Sequence, residues 1–182
     1  LQKAGDRAVR ILANEEAIAH FKQALALLAA LPDTGGKEHR LERDRVELAL
    51  QLALGAPLVA CRGYTAPEFG QAMARARELC QRADAGECPE LISALFFLNI
   101  FHGLRAEYQA AIELGEEALR LAQRAEDPLL IAWAHFSLGW VLDCVGDFSQ
   151  ARAHLEHALA FYDPEQHRSL SLRRYGADAG VF

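Results

Sequence analysis

Small and large apolar residues recur along this chain at alternating four- and three-residue steps. Ala17, Phe21 and Ala24 form one such set, and Phe69, Met73 and Ala76 another. Ala111, Gly115 and Ala118, then Ala151, Leu155 and Ala158, complete the series. That period belongs to helices with one buried stripe, not to strands. Helix starts are marked by residues whose short side chains accept from first-turn amides: Asn14, Thr65, Asp127 and Asp147. Thr65-Ala66-Pro67-Glu68 and Asp147-Phe148-Ser149-Gln150 have the form of capping boxes, and Pro89 and Pro128 suit a first helical position. The pattern predicts eight helices, at about 2–13, 15–31, 38–61, 66–84, 89–103, 106–125, 128–145 and 148–162. Pro57 is expected to kink the third or end it early. Loops are expected at 32–36 and 84–88.

The four apolar sets are separated by 52, 42 and 40 residues, and each is preceded by a small or paired position: Ala4-Gly5, Leu54-Gly55, Leu98-Asn99 and Leu138-Gly139. Around the last pair, Leu142, the turn Gly146-Asp147-Phe148, the set Ala151, Leu155 and Ala158, and a closing Asp163-Pro164 resemble the tetratricopeptide repeat pattern. The spacing exceeds the usual period of about 34 residues, so the other repeats are degenerate. The expected fold is all-α: a TPR-like, right-handed superhelical α-solenoid of about four antiparallel helix pairs. Residues 1–182 form a single array in this reading, with repeats at about 1–32, 38–84, 89–125 and 128–164, and 165–182 opening a further, truncated repeat.

Several longer stretches sharpen the resemblance. Gln51–Gly55, Arg62–Glu68, Ala74–Cys80, Gly146–Glu156 and Tyr162–Arg168 look like the TPR region of bacterial multidomain signalling ATPases. In that family an ATPase module precedes the repeats, and many members carry a class III adenylate/guanylate cyclase domain. The resemblance implies a cytoplasmic sensor or docking arm without catalysis of its own. A start at Leu1 in place of Met fits an excised segment of such a parent.

Composition supports the helical reading. Six Val, six Ile and two Thr are few β-branched residues for a sheet protein of 182 residues. The net charge of -6 argues against nucleic acid, which demands clustered cations. The longest apolar run, Leu91–Phe101, is too short to span a membrane and holds Ser93 and Asn99. Cys61, Cys80, Cys88 and Cys144 form no Cys-x-x-Cys pair and read as reduced thiols.

Candidate chemistry thins out on inspection. Gly35-Gly36-Lys37-Glu38 lacks the earlier Gly and following Ser or Thr of a phosphate loop. His154 and His157 lie one turn apart but lack a third metal ligand, and read as solvated surface residues. His20, His39, His102, His135 and His167 show no ligand spacing. No nucleophile elbow occurs, and Glu15-Glu16 and Glu116-Glu117 read as solvated charge. No catalytic residue, metal or cofactor is therefore expected. Recognition by a surface is what remains. The groove stripe of the A helices comprises Leu52, Ala56 and Val59, then Phe96, Ile100 and Gly103, then Phe136, Trp140 and Asp143, with Trp133 at its edge. An apolar, aromatic stripe suits a protein or peptide, or other domains of the parent chain. Exposed repeat ends also suggest self-association. A rival reading makes the helical domain contribute to a small-molecule or nucleotide site of the parent enzyme.

Overall fold

The computed structural model describes the backbone of residues 2–32, 36–82 and 89–175, and side chains within 13–32, 36–82 and 90–170. Among the described residues there are eight helices and no strand: α1 Gln2–Ala30, α2 Lys37–Arg62, α3 Pro67–Arg82, α4 Pro89–Leu104, α5 Tyr108–Arg124, α6 Pro128–Cys144, α7 Phe148–Phe161 and α8 Pro164–Tyr175. The all-α expectation holds. The loops predicted at 32–36 and 84–88 fall largely outside the described residues, as do Cys88 and the end of the chain past Tyr175.

The chain divides into two compact units, 1–85 and 86–182. In the first, α1 packs on α2 and α2 on α3. Here the sequence reading needs correction at Asn14: α1 runs through it as one helix of 29 residues, so 1–32 is not a helix pair. Neither Gly nor Pro interrupts Ile11–Ala17, and an interior Asn costs only about 0.7 kcal/mol relative to Ala, too little to break a helix alone. Ion pairs tie α1 to its neighbours: Glu15 with Arg62 of α2 at 3.2 Å, and Lys22 with Glu68 of α3 at 2.7 Å. Glu68 also pairs with Arg62. Glu68 is thus drawn away from the expected capping box. The carbonyl of Ala66, not Thr65, stands at the start of α3 and accepts from the Gly70 amide. Pro57 sits inside α2, which continues to Arg62. The hairpin α2–α3 closes over Leu54, Leu58, Phe69, Met73, Ala76 and Leu79, all buried.

In the second unit α4 packs on α5, α5 on α6 and α6 on α7, and α4 also touches α6. Contact between the first helices of successive hairpins is the stacking that a TPR-like solenoid requires. Asp127 caps α6, with Oδ1 accepting from the amides of Leu129 and Leu130 at 2.9 and 3.1 Å. Asp147 caps α7 through the Gln150 amide at 3.1 Å, and the Gln150 side chain returns to the same carboxylate at 2.7 Å. Asp163 repeats this on α8, accepting from the Glu165 amide at 2.9 Å and the Gln166 side chain at 2.8 Å.

The two intra-hairpin turns are built alike. After α4, Ala106 N–H donates to Gly103 O and Glu107 N–H to His102 O; after α6, Gly146 N–H donates to Asp143 O and Asp147 N–H to Leu142 O. Both are Schellman closures with one left-handed residue. That residue is Gly146 at φ 84° in one turn and Ala106 at φ 60° in the other.

Candidate functional site

The expected groove residues of α4 and α6 divide into two groups. Gly103 lets the helices approach closely, because a Cβ there would stand 2.6 Å from Cζ3 of Trp140. Trp140 therefore covers the face of α4 that glycine leaves bare. Deeper in, Phe96 meets Trp133 edge-on with ring centroids 4.8 Å apart, and Trp133 meets Phe136 at 5.4 Å. Phe96 is only 4% exposed and Trp133 2%. These two are core residues and not groove residues, which corrects the sequence reading. Each helix is apolar nearly all round, so spacing alone did not distinguish the inward face from the groove face.

Ile100, Phe136 and Trp140 remain half-buried, and Asp143 is exposed at the C-terminal end of α6. Leu104, which the sequence reading passed over, is exposed and follows Gly103 on the same helix. Phe101 lies three residues before Leu104 on the same helix, with the Arg105 guanidinium 5.2 Å above its ring. Leu52 is half-buried on α2, in the other unit.

A second feature went unpredicted. His135 of α6 is buried, and its Nδ1 lies 3.0 Å from Nδ1 of His154 on α7. Its ring stacks on that of His157 at 5.0 Å and parallels Phe161 at 6.3 Å. His154 is half-buried, not the solvated residue expected, whereas His157 is exposed and its Nδ1–H donates to Ala153 O at 2.7 Å. Burial, reinforced by the two neighbouring imidazoles, pushes His135 down to about 4. Burial also lowers His154, against an opposing pull from Glu116 of α5. The signal was available in the 40-residue frame, which sets His135 on the fully buried Leu95. No group of three or more His, Cys, Asp or Glu among the described residues is arranged to hold a metal ion.

On the second-helix side of this unit a cleft of about 590 Å³ runs between α5, α6 and the start of α7. Ile112, Leu119, Leu138 and Val145 form its apolar lining, and Glu116, Arg120 and His154 are among its polar groups.

Stacked hairpins with glycine-permitted contacts define an all-α helical-repeat protein. Residues 100–163, from the last turn of α4 to the cap of α8, match the family described as Tetratricopeptide repeat. No curated protein and no solved structure matches the chain. Repeats of this family generally mediate protein–protein interaction and are not catalytic, which supports a scaffold role for this region. No helix among the described residues is long and apolar enough to cross a membrane.

Proposed function

We propose that this chain is the docking arm of a larger cytoplasmic signalling protein, an ATPase or a nucleotide cyclase, and holds a protein segment along the α4–α6 stripe. The observation that carries the reading is the coincidence of half-buried Ile100, Phe136 and Trp140 with exposed Leu104 and Asp143 inside the region that matches the repeat family. Apolar side chains left partly in water beside one acidic group suit an apolar partner segment bearing a cation. The ATPase or cyclase context rests on the sequence resemblance alone.

The test begins with the coding sequence flanking this segment. If it encodes a phosphate-binding loop, that module is produced separately and titrated against this chain by calorimetry. Saturable binding weakened at least about tenfold by Leu104→Ser with Asp143→Arg supports the reading, since each is a surface change. Absence of binding, or binding indifferent to both changes, removes it. The cleft between α5 and α7 favours the rival reading of a small-molecule site, and saturable nucleotide binding by this chain, lost on Arg120→Ala, would establish it instead.

A further inference from the structure

We propose that His135, His154 and His157 form a proton-operated latch that holds α7 against α6 near neutral pH and releases it on acidification. The contact between His135 Nδ1 and His154 Nδ1, 3.0 Å long, needs a hydrogen on one nitrogen and a lone pair on the other. Two neutral rings satisfy this, and so does a pair carrying one extra proton on the far nitrogen of the donor ring. A second proton leaves two N–H groups facing each other, and the contact must open. His157 adds to the effect because its ring stacks directly on His135, so a charge on it raises the cost of a charge on His135.

The surrounding groups leave the latch without compensation. On α7 the facing groups are His154 and His157, while Arg152 and Glu156 pair with each other at 2.7 Å out in solvent. On α5, Glu116 acts on His154 but is not among the groups that act on His135. On α4, Glu90 and His102 lie at the two ends of an otherwise uncharged helix, and His102 is engaged with Glu107 at 2.6 Å. On α8, the His167 ring accepts from the Asp163 amide at 3.0 Å and stays within its own helix start. His135 therefore takes up a proton far more readily once α7 has moved away than while it is held.

The direction follows from linkage. The held ring titrates at about 4 and the released ring at its ordinary 6.5, so release takes up a proton between those values. Opening of α7 then becomes about 30-fold more frequent at pH 5 than at pH 8 from His135 alone. What is uncovered is specific: buried Ala151 and Ala158, half-buried Leu155, and the cleft wall at His154. Acidification would thus change the surface this repeat offers while leaving α4 and α5 paired.

Hydrogen exchange of the whole chain at pH 8 and pH 5, corrected for intrinsic amide rates, reads the latch directly. The expected result is a protection loss of about 30-fold in amides 152–160 of α7, with α3 amides as internal reference. His135→Phe keeps an aromatic ring on His157 and Phe161 and should sharply reduce the loss, leaving only the part that buried His154 contributes. Should that variant not fold, the carbon resonances of His135 in the unaltered protein decide the matter, with a midpoint below pH 5 expected. Equal protection of α7 at the two pH values, a loss undiminished in His135→Phe, or a His135 midpoint near 6.5 would overturn the proposal.

Discussion

Leu155 of α7 lies over Gly139 of α6 so closely that a Cβ on the glycine would meet its Cγ at 2.7 Å. One hairpin earlier the sizes are reversed. Asn99 occupies the α4 position corresponding to Gly139, and Gly115 occupies the α5 position corresponding to Leu155. A Cβ on Gly115 would stand 3.2 Å from Asn99 Nδ2 and 2.8 Å from Leu138 Cδ2. Each hairpin needs one small partner at its crossing, and the small residue can belong to either helix. Asn99 is fully buried and uses its amide to donate to Ala111 O at 2.7 Å, which pins the crossing it fills.

Gly139→Ala should therefore destabilise the chain despite alanine's better helix propensity. Overpacking of this kind costs about 1–3 kcal/mol, against about 1 kcal/mol gained from propensity. Adding Leu155→Ala should restore part of the loss, so urea denaturation of the four members of the cycle should show coupling of at least about 0.5 kcal/mol. Strict additivity would mean that the two residues do not meet.

Ala106 holds the left-handed position that glycine fills in the matching turn. Ala106→Gly should raise stability by about 0.5–1 kcal/mol, because a left-handed non-glycine residue costs about 1–2 kcal/mol and part of that returns as unfolded-state entropy. Gly146→Ala should do the opposite by about 1 kcal/mol. Thermal melts of the two variants should move in opposite directions.

Glu47 of α2 and Arg75 of α3 form a bidentate pair at 2.6 and 3.0 Å. The hydrogen bond from Arg75 is the main reason Glu47 ionises below its ordinary 4.5. A depressed carboxylate stabilises the fold above that ordinary value and loses its contribution as pH falls through the lower, folded value. Arg75→Met should cost about 1 kcal/mol at pH 7, and that cost should shrink as pH falls from 4.5 through the lower, folded value, where the unaltered protein itself weakens. Denaturation at pH 7 and pH 3.5 checks the difference.

Phe96→Ala and Trp133→Ala should each cost about 3–5 kcal/mol, since both side chains are core. Asp143→Ala should stay within about 0.5 kcal/mol of the unaltered protein. A melt in which Phe96→Ala is silent would return that residue to the groove.

The helical periodicity was strong enough to place α3 to α7 within a few residues, because caps and prolines mark their ends in the chain itself. It failed at Asn14, where a residue suited to a cap lies inside a run of good helix formers and ion pairs from α2 and α3 hold the helix straight through. It also failed to divide the stripe. Phe96 and Ile100 share one face of α4 by spacing, yet Trp133 covers the first and leaves the second half-open. That depends on how α6 lies across α4, a relation between helices that no local pattern carries. The histidine cluster was hidden for the same reason, its members being 19 residues or more from His135 along the chain.

Asp127-Pro128 and Asp163-Pro164 start α6 and α8 in the same manner, with the carboxylate on the first amides and proline at the first helical position. Residues 127–162 are thus bounded on both sides by the same two-residue start signal. Tandem duplication of their coding sequence would join Tyr162 to a second Asp127-Pro128, and the new junction would read Tyr-Asp-Pro, as Tyr162-Asp163-Pro164 already does. The chain can lengthen by whole hairpins without inventing a linker, so growth by unequal crossing-over is written into its punctuation.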